Sequence, residues 1–489
     1  MHAASSEKMI RRLASLPALA ALHDAAAKLP GPIYLVGGAV RDLALGEAAS
    51  DLDLVTTGPL DLAAARLAEA FHVRAIPLGH PPKRIHRFAP PGLTIDLAPA
   101  EGGSLERDLA RRDLTINAMA LALAAGGGTD RLIDPYGGLS DLEHRTARFV
   151  SETAVLDDPL RLLRLFRFAA TLGLKPDPDS LTWVTRHAPL IARSAGERVR
   201  TELLKLLAAP RSHPTVRLML DHGLLEVLFP ELVPLRLCDQ NEFHHLPVLE
   251  HTLLALDHLE RILERPETWL SAFAEPIQAD LFGTVRGALL KMAMLLHDIG
   301  KPRTLTTDAK GSIHFYRHEI VGEEMAAAIT ARLRLSRTED AFIRGLVRQH
   351  LHPWHLFEAG RRGTLKQKGV LRFLARVGDR LAPLLLHALA DGLATQGPKV
   401  QAGRPELKDL AAFFHRLLKE QAIQNRERPR LLSGHEVMRA FGLSPSPAVG
   451  RLLRAVSEAQ ALGQIEDRDQ ALRLAEEMLA RERERDRQP

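Results

Sequence analysis

Two aspartates separated by one residue, Asp51 and Asp53, offer the clearest chemistry in this sequence. They lie in an alternating polar and apolar stretch, DLDL, which is typical of a β-strand. Because residues two apart in a strand project to the same side, both carboxylates can bind one or two hard cations such as Mg²⁺. Two such cations ~3.5 to 4 Å apart can activate an attacking oxygen and stabilise a leaving one. The pair predicts a phosphoryl-transfer centre; the alternative is a solvated strand end.

A candidate phosphate-binding turn precedes these aspartates. A β-branched and aromatic strand ends at Gly37 and Gly38, and a helix that contains Arg41 and Asp42 follows. Adjacent glycines let backbone N–H groups approach a phosphate closely, and the helix directs its positive end at the same anion. A Gly-Gly pair alone is more often a plain turn. Combined with the aspartates in a strand, helix, strand order, it favours nucleotidyl transfer.

Residues 34–53, YLVGGAVRDLALGEAASDLD, resemble the first motif of class II tRNA nucleotidyltransferases and bacterial poly(A) polymerases. These are distant members of the DNA polymerase beta superfamily. The resemblance implies a small mixed-sheet head, Mg²⁺ at Asp51 and Asp53, ATP and CTP as substrates, and tRNA as the partner that is extended.

Two further stretches contribute polar groups to the expected head. Asp96 lies in the alternating stretch LTIDL. A third carboxylate beside the metal-binding aspartates and a plain surface aspartate are equally good interpretations of it. Arg111 and Arg112 can clamp a triphosphate, and Asp113 can accept from a ribose hydroxyl. An arginine pair is also common on solvated helix faces. A helix is expected to begin at Ser104, earlier in the same segment.

The second stretch, RRDLTINA, resembles the family's second motif and extends it to Asn117. Leu114 replaces the phenylalanine that is usual in that motif. CCA-adding members usually carry a flexible loop before this helix, and that loop is implicated in the switch from C to A addition. Here only residues 97–103, LAPAEGG, intervene, as in the CC-adding branch of the family. The resemblance therefore leaves addition of the terminal A open.

A cationic helix face follows the expected head. Pro159 begins a helix on which Arg161, Arg164 and Arg167 recur every third residue, and Asp158 precedes it. Asp158 and Arg161 present acceptors and donors that could match the Watson–Crick edge of a base. A capped amphipathic helix with surface salt bridges is the alternative. The resemblance assigns base selection to Asp158 and Arg161 and phosphate contacts to Arg164 and Arg167.

Two other stretches resemble family elements that we interpret as structural. Residues 133–138, IDPYGG, carry turn chemistry ahead of a short helix, and residues 196–205, GERVRTELLK, match a motif thought to brace the neck.

A second group of metal-binding side chains occupies the later half of the chain. Histidine and aspartate on separate apolar helices can surround Mn, Fe, Ni, Co or Zn. A lone buried histidine is more often satisfied by a carbonyl. Here the candidates occur in an order that resembles the HD phosphohydrolase superfamily, which implies a metal site formed by His251, His297, Asp298 and Asp391, with His318 and His350 as further ligands where two metals bind.

Composition narrows the class of protein. The sequence has 65 basic and 60 acidic residues, so its net charge is small and RNA binding would need local clusters of arginine. Cys238 is the only cysteine, which excludes an internal disulfide and a cysteine-rich zinc site. No apolar run reaches membrane length. We expect a cytoplasmic protein without a membrane partner, and oligomeric state is not readable from the sequence.

The sequence thus predicts an α+β protein with four parts. They are a mixed-sheet, polymerase beta-like nucleotidyltransferase head (residues 1–150), an all-α neck that binds RNA (151–240), an all-α HD domain (241–395) and a helical tail that could bind tRNA (396–489). The expected reaction is template-independent transfer of CMP, AMP or both to a tRNA 3′ end, with a second, phosphohydrolase activity in the HD domain. The alternatives are a poly(A) polymerase and an HD phosphohydrolase whose head only binds RNA.

Overall fold

The computed structural model describes residues 19–29, 31–80, 84–123, 131–241, 243–396, 405–427, 431–461 and 463–485. The described chain divides into two compact units. The first runs to Leu206 and includes Pro214–Leu228, and the second comprises Leu207–His213 and the residues from Phe229 onward. The predicted division into four parts stays a prediction.

A seven-stranded sheet organises the first unit. Its strands are β1 (Ile33–Val36), β2 (Asp51–Thr56), β3 (Ile76–Leu78), β4 (Ile85–Phe88), β5 (Thr94–Pro99), β6 (Ala120–Ala122) and β7 (Arg131–Ile133). They lie in the order β3-β4-β5-β2-β1-β6-β7, in which β2 and β5 are parallel and the other neighbours antiparallel. The sheet is therefore mixed, as predicted.

Short helices connect these strands: α1 (Leu19–Ala27), α2 (Gly38–Leu45), α3 (Leu60–Phe71), α4 (Leu105–Ala110) and α5 (Gly138–Glu143). Helix α2 ends at Gly46, which adopts the left-handed conformation that glycine permits. Helix α4 begins after Ser104, whose side chain accepts a hydrogen bond from the Arg107 backbone N–H. Both boundaries agree with the signals in the sequence. The 3₁₀ turns Glu101–Gly103 and Thr115–Asn117 flank α4.

The remainder of the first unit is largely helical: α6 (Glu152–Asp157), α7 (Leu160–Leu172), α8 (Pro178–His187), α9 (Gly196–Ala208), α10 (His213–Asp221) and α11 (Leu224–Leu228). A small parallel pair, β8 (Thr146–Ala147) and β9 (Lys175–Pro176), accompanies them. Helix α7 buries Leu162, Leu163 and Phe166 on one face. Its arginines consequently lie on the opposite flank, beside α9.

Helices also dominate the second unit, together with one antiparallel hairpin, β10 (Leu305–Thr307) and β11 (Ile313–Phe315). The helices are α12 (Val248–Glu264), α13 (Glu267–Leu270), α14 (Ala274–Leu281), α15 (Val285–Leu296), α16 (Lys301–Thr304), α17 (His318–Arg332), α18 (Arg337–Gln349), α19 (His352–Arg361), α20 (Gln367–Val377), α21 (Leu381–Ala394), α22 (Pro405–Glu427), α23 (Gly434–Phe441), α24 (Pro447–Ala461) and α25 (Arg468–Arg485). Helices α12, α15 and α21 are almost entirely buried and form the core.

The predicted fold class is confirmed, with a small mixed sheet in the head and helices in the body. The sequence also predicts a leading helix up to about Leu29; α1 is the part of it among the described residues, since residues 1–18 lie outside them. A linker predicted at residues 396–405 lies mostly outside the described residues, at 397–404. Within the described ranges no helix is long and apolar enough to cross a membrane.

Candidate active site and metal centre

The three carboxylates predicted in the head lie together at the surface of the sheet. Asp51 and Asp53 occupy the exposed, alternating positions of β2, so their side chains share a face. Asp96 on β5 lies directly opposite Asp53 in the parallel register. Although Asp53 is accessible, desolvation of its carboxylate by surrounding protein atoms raises its pKa above the ordinary value; Asp96 and Asp51 add to the shift, and Arg112 opposes it. Carboxylates in one another's field attract a cation, so the residues present fit Mg²⁺.

Gly37 allows an arginine to approach these carboxylates. Its φ is 73°, a conformation that side chains rarely adopt. A Cβ atom at this position would lie 2.7 Å from Arg112 Nη1 and 3.6 Å from Asp53 Oδ2. Any larger residue would therefore displace the guanidinium. Gly38, the first residue of α2, is less restricted, since a Cβ atom there would lie 3.6 Å from Arg41 Nη2, an ordinary contact distance.

A chain of polar contacts joins the first motif to the second. Arg41 Nη1 donates to Asn117 Oδ1 at 2.7 Å, and its Nε and Nη2 donate to Asp42. Asn117 Nδ2 donates to Asp113 Oδ1 at 3.0 Å. Asp113 is buried, and both Arg164 and the Leu114 N–H donate to it. The carboxylate predicted to bind a ribose hydroxyl thus already anchors the neck helix to the head.

The cationic face of α7 is paired within the protein. Glu202 on α9 is buried, forms an ion pair with Arg167 at 2.6 Å and accepts a hydrogen bond from Arg164 at 3.4 Å. The Phe168 ring lies 3.5 Å from the Arg167 guanidinium carbon and 5.0 Å from that of Arg41. Arg164 and Arg167 therefore have internal anionic partners, and their predicted phosphate contacts stay a prediction.

A cavity of about 330 Å³ brings the predicted triphosphate and base-reading residues together. Its lining consists of four arginines and three aspartates: Asp108, Arg111, Arg112, Asp113, Asp158, Arg161 and Arg164. Three of these four arginines pair with carboxylates, and the Arg164 partner is Asp113. Arg112 pairs with Asp108 at 2.9 Å, and Arg111 pairs with Glu101. Arg112 contacts both this cavity and the space beside Asp53, so it connects the two halves of the site.

Asp158 and Arg161, the predicted base-reading pair, have different neighbours. Arg198 on α9 donates to both oxygens of Asp158, at 2.7 and 3.3 Å. Arg161 Nη1 donates to the Ala154 carbonyl at 2.8 Å, and burial lowers the pKa of its guanidinium. Sequence reasoning missed Arg198, Glu202 and Asp108 as members of this site. The first two lie in the stretch GERVRTELLK, whose family motif was the available signal.

The second unit gathers all six histidine and aspartate candidates. His251, His297 and Asp298 form one group whose ligand atoms lie within 4.8 Å of one another, and Asp298, His318 and His350 form another. Asp391 joins the first group, since its Oδ1 lies 2.9 Å from His251 Nε2 and 3.7 Å from His297 Nε2. Asp298 belongs to both groups: its Oδ2 faces His297, and its Oδ1 faces His318 and His350.

Backbone carbonyls orient three of these imidazoles. The Nδ1 atoms of His297, His318 and His350 lie 2.8 to 2.9 Å from the carbonyls of Met294, Phe315 and Val347. With Nδ1 donating to a carbonyl, each Nε2 is the nitrogen available to bind a metal beside the carboxylates. This is the arrangement of metal-binding histidines, whose second nitrogen is held by an outer partner. The donor set fits a transition metal such as Mn, Ni, Co, Fe or Zn.

Three residues near this centre were not predicted from the sequence. His387 lies one turn before Asp391 on α21 and is fully buried beside His297, and burial lowers its pKa to about 3. His244 packs edge-on against His251, and burial likewise lowers its pKa to about 3. Lys301 Nζ lies 2.6 Å from Asp298 Oδ2. The stretch HDIGK contains Lys301, whereas no local pattern marks His387.

Family profiles match three consecutive regions of the chain. A profile described as the poly A polymerase head domain matches residues 33–100 and 94–148. One described as the probable RNA and SrmB-binding site of polymerase A matches residues 173–235, and the HD domain profile matches residues 248–395. The fold and these sites define a nucleotidyltransferase with a helical neck and an HD domain.

Individual relatives narrow the class. The chain is 36% identical over 447 residues to the A-adding tRNA nucleotidyltransferase of Deinococcus radiodurans, covering 89% of this chain and 93% of the relative. It is 37% identical over 449 residues to the CC-adding tRNA nucleotidyltransferase of Thermus thermophilus, covering 90% and 92%. The chain belongs to the tRNA nucleotidyltransferase family, which confirms the resemblance inferred from its motifs.

Solved structures share the fold. The Thermotoga maritima CCA-adding enzyme complexed with tRNA has a TM-score of 0.57 and 20% identity, over 97% of this chain and 98% of that chain. A CCA-adding enzyme in apo form I has a TM-score of 0.60 and 21% identity, over 97% and 96%.

Proposed function

We propose that this chain extends the 3′ end of tRNA with nucleotides from CTP or ATP, without a nucleic-acid template. The observation that carries the proposal is the convergence of Asp51 and Asp53 with a cavity lined by Arg111, Arg112 and Asp158. Relatives that match about nine-tenths of the chain are A-adding and CC-adding tRNA nucleotidyltransferases. Those relatives favour this function over poly(A) synthesis and over a head that only binds RNA.

Each side chain in the site has a chemical role in this proposal. Asp51 and Asp53 would hold Mg²⁺, which when bound supplies activation of the attacking oxygen and stabilisation of the leaving one. The tRNA 3′-hydroxyl oxygen attacks the α-phosphorus of the nucleoside triphosphate, a new phosphodiester forms, and pyrophosphate leaves. Arg41, Arg111 and Arg112 carry the positive charge that holds the triphosphate.

The same cavity supplies the groups that select the base. Asp158 accepts and Arg161 donates, so the pair can match the edge of a pyrimidine or purine in place of a template strand. Arg198 holds Asp158, and the Ala154 carbonyl holds Arg161. Their positions are therefore set by α6 and α9, the helices that flank α7.

We further propose that the chain adds the two C residues and not the terminal A. Strand β5 ends at Pro99 and α4 begins at Leu105, and a 3₁₀ turn fills most of the interval. Glu101 in this turn pairs with Arg111, and a Cβ atom on Gly102 would lie 2.9 Å from Arg107 Nη1. The connection is thus short and bound to α4. The relatives do not decide the point, because the A-adding and CC-adding enzymes are equally similar.

A direct test uses three tRNA transcripts, ending before C74, at C74 and at C75, with labelled CTP or ATP. We expect two C residues to be added to the first transcript, one to the second and nothing to the third. Long ATP tails would indicate a poly(A) polymerase, and addition of A to the third transcript would contradict the CC-only proposal. Asp53→Ala should add no nucleotide, and absence of incorporation by the wild type would refute the transferase function.

A second candidate activity rests on the buried cluster in the second unit. His251, His297, Asp298 and Asp391 would hold a divalent transition metal there, and His318 and His350 complete a second set of ligands around Asp298. Metal bound to such ligands supplies a nucleophilic hydroxide at neutral pH. We propose a metal-dependent phosphohydrolase, whose substrate is a phosphate ester.

The remaining regions would hold tRNA. Because the proposed substrate is tRNA, we propose that the protein acts in the cytoplasm. Residues 151–240 would bind the acceptor end, and residues 396–489 would bind a more distant part of the molecule.

A further inference from the structure

A row of charged side chains crosses three adjacent strands of the head. Arg87 on β4 lies directly opposite Asp96 on β5, and Asp96 lies directly opposite Asp53 on β2. Side chains opposite one another on paired strands lie on the same face. In β4 the neighbours of Arg87, His86 and Phe88, are buried on the other face. Arg87 therefore points to the side that carries the predicted metal-binding aspartates.

Arg87 engages both oxygens of Asp96. Its Nε donates to Oδ1 at 2.8 Å, and its Nη2 donates to Oδ2 at 2.7 Å. This bidentate geometry is the strong form of the arginine–carboxylate pair, and it occupies one lone pair on each oxygen of Asp96 beside a positive charge that repels a cation. Arg87 also lies in the field of Asp51 and Asp53, which contribute to the raised pKa of its guanidinium after Asp96.

We propose that Arg87 is a positioning residue that withholds Asp96 from the metal and thereby sets the Mg²⁺ affinity of the head. The inference deepens the proposed nucleotidyltransferase function and rests on it. Asp51 and Asp53 are left as the protein's own ligands, so phosphate oxygens of the nucleotide complete the coordination. A third free carboxylate would bind Mg²⁺ more tightly without nucleotide and would hold the product pyrophosphate longer.

The alternative is a surface ion pair without effect, since exposed pairs commonly contribute little. The Arg87 side chain is 46% exposed and that of Asp96 is 23% exposed, so this alternative needs a test. Arg84 provides a matched control. It lies just before β4, pairs with Asp61, and has no contact with Asp51, Asp53 or Asp96 among the contacts of the described residues.

The experiment compares the full-length wild type with Arg87→Gln, Asp96→Asn, the double variant and Arg84→Gln. The first measurement is the Mg²⁺ concentration that gives half-maximal CTP incorporation into tRNA. We expect Arg87→Gln to lower it by about threefold or more, because a carboxylate is released and a positive charge removed. Arg84→Gln should match the wild type. The double variant should lose most of the gain, because its residue 96 no longer carries the negative charge that attracts Mg²⁺.

A second measurement does not depend on turnover. Fe²⁺ replaces Mg²⁺, and ascorbate with peroxide then generates radicals that cleave the backbone near the bound iron. Cleavage near residues 51–53 should reach half its maximum at a lower Fe²⁺ concentration in Arg87→Gln than in the wild type or in Arg84→Gln. Iron bound at the histidine cluster cleaves near residues 251–391 and produces distinct fragments.

Three results would overturn the inference. The first is that Arg87→Gln behaves like Arg84→Gln in both measurements, and the second is that the double variant keeps the full decrease in Mg²⁺ requirement seen with Arg87→Gln. The third is that Asp96→Asn abolishes CTP incorporation, as Asp53→Ala should. The last result would make Asp96 a direct ligand. Failure of the wild type to extend tRNA would instead refute the proposed function itself, so the two failures are distinguishable.

Discussion

The carboxylate of Asp53 lies in surroundings that oppose its charge. Desolvation and the nearby carboxylates of Asp96 and Asp51 raise its pKa, and the Arg112 guanidinium only partly compensates. Because the folded-state pKa is higher than the unfolded-state pKa, the unfolded chain loses its proton at a lower pH than the folded protein does. The free energy of unfolding therefore falls as pH rises from the unfolded-state pKa through the folded-state pKa. At pH 7 that loss is complete. The head therefore holds a destabilising charge whose natural counterpart is a cation.

We predict that Asp53→Asn stabilises the metal-free protein at pH 7 while it abolishes nucleotide addition. The amide removes a desolvated, repelled charge, so the thermal unfolding midpoint of the head in EDTA should rise. Incorporation of CMP should fall by about 10³-fold, because several kcal/mol of transition-state stabilisation are lost. Added Mg²⁺ should raise the midpoint of the wild type more than that of the variant. A lower midpoint for Asp53→Asn in EDTA would contradict the electrostatic account.

Glu202 supplies the negative charge that faces two arginines of helix α7. It is buried and pairs with Arg167 and Arg164. Breaking a buried pair by removing one partner typically costs about 3 to 5 kcal/mol, because a charge is left uncompensated. We predict that Glu202→Gln lowers the free energy of unfolding by several kcal/mol in a urea titration. Glu197→Gln, at an exposed position on the same helix, should change it little. Equal effects of the two substitutions would contradict a role for the buried pair.

Sequence reasoning identified individual reactive residues better than their partners. Asp51, Asp53 and Gly37 belong to one short stretch, so their types and spacing are visible together. The partners are contributed by other elements: Arg198 and Glu202 by α9, and Arg87 by β4. Such pairs depend on tertiary packing. His387 shows the same limit, because its place beside His297 follows from the packing of α21 against α15.

At the scale of elements, the strand that contains Asp51 and Asp53 and the helix start at Ser104 were predicted from the sequence, and the structure has both. Strands were readable because turn signals such as Gly46 separate them, and helices because capping residues such as Ser104 mark their starts. The strand order was not readable. Residues 131–133 form β7, an edge strand beside β6. Strand β7 connects the turn of residues 133–138 to the sheet.

Gly138 illustrates how such a turn supports the site. It is the first residue of α5, and a Cβ atom there would lie 2.2 Å from the Thr115 carbonyl oxygen, in the 3₁₀ turn that carries Asn117. Asn117 in turn accepts from Arg41. We predict that Gly138→Ala destabilises the head by about 1 to 3 kcal/mol through overpacking and also weakens CTP binding.

Gly137→Ala is the matched control for this element. Its added Cβ would meet no atom within 4 Å, and only the strain of its positive φ remains. Urea titrations and equilibrium CTP binding should separate the two variants, with Gly138→Ala the more impaired in both. Equal CTP affinities would show that α5 does not position Asn117.

At the scale of the whole molecule, the two units contain two sets of carboxylates with different neighbouring ligands. The head offers oxygen ligands alone, which suit Mg²⁺, whereas the second unit adds imidazoles, which suit transition metals. The two sets belong to separate compact units. Each chemistry should therefore be removable without loss of the other.

We predict a reciprocal result for substitutions in the two units. Asp298→Asn should abolish hydrolysis of p-nitrophenyl phosphate and its diester in Mn²⁺ or Ni²⁺, because Asp298 belongs to both groups of ligands. CMP incorporation should stay within about twofold of the wild type, as it should for the exposed control Asp280→Asn. Asp53→Asn should instead abolish CMP incorporation and leave ester hydrolysis unchanged. Loss of CMP incorporation in Asp298→Asn would contradict independent sites, and a wild type that hydrolyses neither ester with any of the five metals would contradict the phosphohydrolase proposal.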